Sequence, residues 1–390
     1  MISFKPSDEE AAFIMVAKDF ATEYFRPMAR DAERNDAVPE QIIRKLRELG
    51  LNALELPECF GGLELPLLSQ VQILESLSYG DLGILQGIGG AGECASIIRL
   101  EHANPVFELY KQKCQIGEEP TVALYCHEQH RLQIRKTAEG FLINGETAPI
   151  KMAREAEYLL IAGKDTDGED HLLWLDYEEE TSWEIKDGDY RLGLLCSGFA
   201  QLAFNGVRVP KSSVIASGKS AVDILELALS RIRIREAAKE AGVMSAALDY
   251  TAEYTAQRKA FGQEIAKFQG VSFNLAQMAI HTQTARHLTL YGASKLDQQD
   301  KDAVLYSIEA LQKAHQSIRF VTDSAVQLLG GHGYVADHPV EKWMRDAQAQ
   351  ISWFEKEGDL QIKAGNWILN HNERGASDDQ LRAVLTPKPS

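Results

Sequence analysis

Apolar positions recur at helical spacing through the first third of the chain. In SDEEAAFIMVAKDFATEYF, Ser7 stands before three acidic residues and an apolar stripe. That pattern predicts an N-cap and a helix with acids in its first turn. PEQIIRKLRELG opens on Pro39 and closes on Gly50, the punctuation of a short helix. PECFGG reads as a turn and LLSQVQILESLSYGD as a further amphipathic helix, so residues 8–118 are expected to be mostly helical. Near Pro120 the period shortens. TVALYCHE, RKTAEGFLING, YLLIAGKD, HLLWLDYE, TSWEIK and QLAFNGVRVP are short runs rich in β-branched and aromatic residues, separated by Gly, Asn or Asp. They predict a small antiparallel β domain over roughly 119–215. Helical periodicity returns in four long segments, 221–256, 265–297, 301–329 and 339–370, the size and spacing of a helical bundle. The expected division is an N-terminal helical domain (1–118), a middle β domain (119–220), a four-helix bundle (221–372) and a tail (373–390). The tail, ERGASDDQLRAVLTPKPS, is expected to pack loosely or to serve as a subunit arm.

Composition narrows the function classes. A chain of 390 residues is too long for one simple core. No apolar run approaches the ~20 residues that a membrane span needs. MISFKPSDEEAAF lacks the charged-then-apolar pattern of a secretory signal. Cys59, Cys94, Cys114, Cys126 and Cys196 lie far apart with no C-x-x-C spacing, which argues against zinc and against a disulfide framework. A reducing, cytoplasmic setting is expected. The net charge of −16 disfavours a nucleic-acid binder, which needs a basic face. An anionic small ligand stays open, because local cations decide its binding.

Four segments carry a resemblance. LRELGLNALELPECFGGLELPLLSQVQILESLSYGD, FNGVRVPKSSVI, YTAQRKAFGQEIAKFQGVSFNLAQMA and QLLGGHGYVADHPVEKWMRDA occur in that order. Together they resemble the acyl-CoA dehydrogenase flavoprotein superfamily over about residues 5–370. The resemblance implies an α+β, mostly α fold: a helical domain, an antiparallel β domain and a four-helix bundle that mediates a homodimer or homotetramer. A heteromer with a sister subunit is the alternative. The residues support a nucleotide site on their own terms. Arg258 offers a fixed fork of donors suited to a pyrophosphate, and Phe261 can cover an adenine or flavin edge. Gly330, Gly331 and Gly333 let backbone amides approach a ligand closely. The resemblance implies that Arg258, Phe261, Gln269, Gln327 and Gly331, with Gly330 beside them, hold the ADP half of FAD, largely across a subunit interface. The alternative is that Arg258 is a surface cation and the glycines only turn the chain.

The flavin-ring half departs from the family pattern. Tyr125 fits, but His127, Glu128, Gln129 and His130 stand where the family carries a Thr-Glu-Pro turn. After Asn144-Gly145, Pro149 and Lys151 occupy the places of a tryptophan and a threonine. Proline cannot stack as an indole does, and lysine can only donate. His127, Glu128 and Lys151 are carried as cofactor-site candidates with Tyr125. The histidines at i and i+3 offer no good metal geometry.

The resemblance also implies a glutamate that removes the α-proton of an acyl thioester. Counting from Arg345-Asp346-Ala347, its place falls on Phe354. Counting back from the following helix, EGDLQI places it at Glu357, which needs three inserted residues, nearly one helical turn. Glu357 is the first candidate base and Glu355 the second. Other family members carry the glutamate on the first bundle helix. There this chain has Ile232, with Glu236 and Glu240 one and two turns on. Arg233 lines up by count with a family arginine near the thioester and is a substrate-binding candidate, while Arg231 and Arg235 read as bundle-surface cations. The expected activity is FAD-dependent dehydrogenation of the α,β bond of a thioester carried by coenzyme A or an acyl carrier protein, with an electron-transfer partner or oxygen as acceptor. A member with other flavin chemistry, such as an oxygenase or desulfinase, and a non-catalytic subunit are the rival expectations.

Overall fold

The computed structural model describes residues 4–126, 132–177, 183–187 and 190–370. His127, Glu128, Gln129 and His130, and the tail from 371 onward, lie outside these residues. The N-terminal region contains α1 (Asp8–Phe20), α2 (Arg26–Arg34), α3 (Glu40–Glu48), α4 (Leu67–Gly80), α5 (Leu82–Gln86), α6 (Ala95–Leu100) and α7 (Glu108–Gln115). Ser7 caps α1 as expected: its hydroxyl accepts from the Glu10 amide, and the Glu10 carboxylate accepts from the Ser7 amide.

Two four-stranded sheets follow. The first has strand order β1 (Val122–Cys126), β4 (Tyr158–Lys164), β5 (Asp170–Asp176), β8 (Val214–Ser217). The second has the order β2 (Leu132–Lys136), β3 (Gly140–Glu146), β7 (Ala200–Pro210), β6 (Glu184–Asp187). Every pairing is antiparallel except one: β1 and β4 run parallel, because the chain leaves to build β2 and β3 before it returns. Alternate residues of β4 and β5 face opposite layers. Leu159, Ile161, Leu173 and Leu175 pack against the second sheet, whereas Tyr158, Leu160, Leu172 and Trp174 pack against Phe60, Phe107 and Tyr110 of the helical region. Burial on both faces explains why these strands read as nearly unbroken apolar runs. Asn144-Gly145 makes a bulge inside β3 and not a hairpin turn, with the Asn144 side chain accepting from the Gly206 amide at 2.8 Å.

The bundle is built on α8 (Lys219–Gln257), with α9 (Gln269–Asp297), α10 (Ala303–Leu329), α11 (Val340–Trp353) and a last helix, α12 (357–370). A small hairpin, β9 (Lys259–Ala260) with β10 (Gln263–Glu264), joins α8 to α9. The fourth expected segment is broken: residues 354–356 are not helical, and Phe354 takes φ −94° and ψ −129°. α8 lies at the centre and is buried around most of its circumference from Ser230 to Ala247. Its arginines are therefore not surface cations. Arg231 forms a two-pronged pair with the buried Glu55, Arg233 turns to Glu355, and Arg235 donates to the Gly92 carbonyl. A helix that meets partners on every side can carry charge only where each partner supplies the opposite charge. Among the described residues no helix is long and apolar enough to cross a membrane.

Gly242 sets how closely α4 crosses α8. A Cβ there would overlap the Glu75 carbonyl and the Ser78 hydroxyl of α4. Gly242→Ala is expected to destabilise the chain by about 1–3 kcal/mol, read from the denaturation midpoint in urea, because neither backbone can give way.

Candidate active site

A cavity of about 850 Å3 opens where the β region meets the bundle. Its walls come from the ends of β1, β4 and β5, from residues 148–151 and 191–193, from Leu225 and Leu229 of α8, and from α11 with the break that follows it. Most of the wall is apolar, but six cations (Lys151, Lys164, Arg191, Arg345, Lys356 and Lys363) line it against two carboxylates, Asp170 and Glu355. A chain with a net charge of −16 thus lines this hollow with more cations than carboxylates.

The break at 354–356 places Glu355. Because the helix stops after Trp353, the Glu355 side chain turns inward to the fully buried Arg233 of α8. Arg233 Nε lies 2.6 Å from one carboxylate oxygen and Nη2 2.9 Å from the other, while Nη1 reaches Glu226 at 2.8 Å. Lys363 of α12 donates to the same carboxylate. Burial pushes the Glu355 carboxyl up, but Arg233 first and Lys363 second outweigh it and hold the group below the ordinary carboxylate range. Beneath the loop, His315 of α10 has its Nδ1 beside Glu240 and its Nε2 2.9 Å from the Glu355 carbonyl. Nε2 faces a carbonyl and so carries a proton; Nδ1 faces Glu240, whose own carboxyl burial pushes above the ordinary range, so the pair holds one further proton between them. Burial disfavours the imidazolium, yet Glu240 and the carbonyl raise the His315 pKa above its usual value.

Behind Lys151 and Trp353 of the cavity wall lies a connected set of buried polar groups. Gln86 of α5 accepts from Lys151 at 2.9 Å and from Lys239 at 3.0 Å. Its amide donates to Glu236 at 2.6 Å and to Gln350 at 2.8 Å. Lys151 also pairs with Glu93, Lys239 with Glu236, and the Gln350 carbonyl accepts from the Trp353 indole at 3.1 Å. Burial raises the Glu93 carboxyl, but Lys151 and Lys239 together bring it down to about 2. The Lys151 ammonium lies 5.1 Å from the centre of the Trp353 ring, within cation–π range.

Of the candidates named from sequence, Tyr125, Lys151 and Glu355 come together on this cavity. Glu357 does not. It begins α12 on the face turned to α10, where Gln316 donates to it at 2.8 Å and Arg319 at 3.2 Å. Arg233 is not on the wall either; it stands behind Glu355 and acts through it. Arg258, Phe261, Gln269, Gln327, Gly330 and Gly331 are all exposed and none lines the cavity. Phe261, 96 % exposed, sits at the tip of the β9–β10 hairpin. One turn before Arg258, the Tyr254 hydroxyl bonds His332 at 2.9 Å, so the two nucleotide motifs share one end of the bundle. Gln86, Glu93, Lys239, His315 and Gln350 were missed. Only the i, i+4 spacing of Glu236 and Glu240 hinted that this face of α8 carries a cluster.

Acyl-CoA dehydrogenase domain models match this chain twice, the N-terminal domain over residues 7–102 and the C-terminal domain over residues 222–354. The chain belongs to the acyl-CoA dehydrogenase family. It is 28 % identical over 362 residues to a probable medium-chain specific mitochondrial acyl-CoA dehydrogenase of Caenorhabditis briggsae, covering 89 % of this chain and 87 % of that one. In fold it is similar to PigA with FAD and proline, at 16 % identity and a TM-score of 0.85, over 94 % of this chain and 99 % of that one. It is also similar in fold to the prolyl acyl carrier protein oxidase AnaB, at 17 % identity and a TM-score of 0.84, over 93 % and 100 %.

Acyl-CoA dehydrogenase family members are FAD-dependent, and the residues of this chain fit such a group. Leu124, Tyr125, Ile150 and Trp353 offer flat apolar walls for a planar ring, and the excess of cations suits a pyrophosphate. Lys151 would meet the ring edge with an ammonium already neutralised by Glu93.

The raised pKa of His315 has a sign. The stability it contributes is fully present below the imidazole's ordinary value of about 6.5 and is lost as pH rises through the higher folded-state value. His315→Gln removes the charged partner of Glu240, whose carboxyl burial already raises, and is expected to cost about 1–3 kcal/mol. It should also flatten the fall in urea midpoint that the unaltered chain shows above about pH 6.5.

Proposed function

We propose that this acyl-CoA dehydrogenase family member is an FAD-dependent oxidoreductase acting on the α,β bond of an acyl thioester, with Glu355 taking the α-proton. The thioester is carried by coenzyme A or by an acyl carrier protein. The observation that supports this reading is the placement of Glu355 itself. It is a cavity-wall carboxylate beside Phe354 and Trp353, oriented by the buried Arg233 and by Lys363 of the same wall, whereas the other wall carboxylate, Asp170, lies with Lys164 at 2.6 Å. The base proposed is therefore Glu355, in place of Glu357.

Each part of the wall has a task. Lys164, Lys356 and Lys363 hold the anionic groups of the carrier at the partly exposed side of the cavity, and Leu225, Leu229 and Phe354 exclude water around the acyl chain. Arg233 fixes the plane of the Glu355 carboxylate through two parallel bonds. FAD, when bound, supplies the acceptor for the β-hydride. A second copy of this chain covers the exposed end of the bundle, where Phe261, Phe273, Tyr334 and Val335 leave apolar surface open. That contact closes the nucleotide motifs at Arg258 and Gly330, in a homodimer or homotetramer. The electrons leave to a flavoprotein partner or to oxygen.

The purified protein is expected to show flavin absorbance that an acyl-CoA bleaches without air. Glu355→Gln should slow that bleaching by about 10²–10⁴-fold, whereas Glu357→Gln should leave it unchanged. A colourless protein that takes up no FAD on titration overturns the proposal. Bleaching at the original rate in Glu355→Gln removes Glu355 as the base.

A further inference from the structure

The proposed base is held by two cations of different kinds. Arg233 is fully buried, its fork shared between Glu355 and the half-exposed Glu226, and it cannot leave without stranding the buried Glu355. Lys363 comes from outside. It lies on α12, its side chain is 37 % exposed, and it lines the same cavity into which the ligand must come. A lysine ammonium on a four-carbon stem is a point charge that changes acceptor easily, unlike a locked guanidinium fork.

A proton acceptor works best when its pKa lies near the operating pH. The resting arrangement opposes this, because Arg233 and Lys363 together hold Glu355 ionised and weakly basic. The movable part of that restraint is Lys363. On the basis of the function proposed above, we infer that Lys363 is a latch on Glu355 that a phosphate-bearing thioester opens. The ligand's anionic groups draw the ammonium away, Glu355 keeps Arg233 alone, and its carboxylate becomes basic only when the cavity is filled. The latch ties basicity to occupancy, so an empty site does not expose an activated carboxylate. Lys363 is in this sense a positioning residue.

The surrounding charges leave room for such a movement. From α8, Arg233 and Glu226 face the carboxylate side; from α10, His315 holds the Glu355 carbonyl. Lys356 is exposed beside the break, and across the cavity Lys164 is occupied by Asp170 and Lys151 by Glu93. Of these groups, only Lys363 both touches the Glu355 carboxylate and reaches solvent.

The test is proton uptake on binding. A non-reactive thioether analogue of an acyl-CoA is titrated calorimetrically into the purified protein, in buffers of different ionisation enthalpy, between about pH 5 and about pH 7. The unaltered protein is expected to take up protons as Glu355 becomes more basic. Lys363→Met, already unlatched, should take up none, Glu355→Gln should take up none, and Lys363→Arg should restore part of the uptake. In turnover, the acidic limb of kcat/KM should move up by about one pH unit in Lys363→Met, while the limb of kcat stays in place. Equal uptake in the unaltered protein and in Lys363→Met, or an unmoved kcat/KM limb, overturns the latch. If Glu355→Gln abolishes turnover while Lys363→Met matches the unaltered protein, the latch fails and the proposed base stands. If Glu355→Gln turns over normally, the base fails first.

Discussion

Charges buried in this molecule cannot be left alone, and most of the site geometry follows from how they are paired. Lys151 comes from the β region, Gln86 and Glu93 from the N-terminal helices, Glu236 and Lys239 from α8, and Gln350 from α11. No region can shift without leaving a charge of another region bare, which costs more than a typical surface contact contributes. Each half of the Gln86 amide is used twice, so that one neutral side chain joins two lysines to one acid, Glu236, and one further amide, Gln350. The same logic holds higher up, where Glu55 is clasped by Arg231 and Arg99 and its carboxyl is held at about 2. Burial alone would raise that group; Arg231 first and Arg235 next reverse the sign.

This pairing explains how an acidic chain makes a cationic cavity. Inside the fold most acids face a base, and on the cavity wall only Asp170 and Glu355 stand against six cations. The excess of acid is left for the outer surface, where water and salt screen it. Global charge was a poor guide to ligand class here, because what matters is the sign of a wall made by about eight side chains.

The regular parts of the fold were legible because periodicity reports burial. α1 with its Ser7 cap, the strands and the long bundle helices follow from apolar spacing alone. α8 shows where that signal ends. Buried on nearly all sides, it carries Arg231, Arg233, Glu236, Lys239 and Glu240 inward, and a sequence pattern cannot tell a paired inward charge from a solvated one. The parallel β1–β4 pair was illegible for another reason: strand order depends on where the chain returns, not on the strand's own residues. On the cavity wall, Tyr125 and Lys151 were legible by position, whereas Gln86, Glu93 and His315, which hold wall residues from behind, come from distant segments that carry no local mark.

The choice between Glu355 and Glu357 turns on three residues. Counting along one continuous helix puts the two glutamates about 200° apart, on nearly opposite faces. With the helix interrupted at 354–356, Glu357 opens α12 and takes exposed partners on α10, while Glu355 falls in the break and turns to Arg233. The His315 ring then fixes the break from below by binding the Glu355 carbonyl, and Trp353 anchors its near side through Gln350. Residues 354–356 thus form a loop between two helices and not a continuation of α11. The result is a wall residue whose backbone carbonyl is held by His315 and whose carboxylate is held by Arg233 and Lys363. A helical residue could not be placed so, since its direction would be tied to that of its neighbours a turn away.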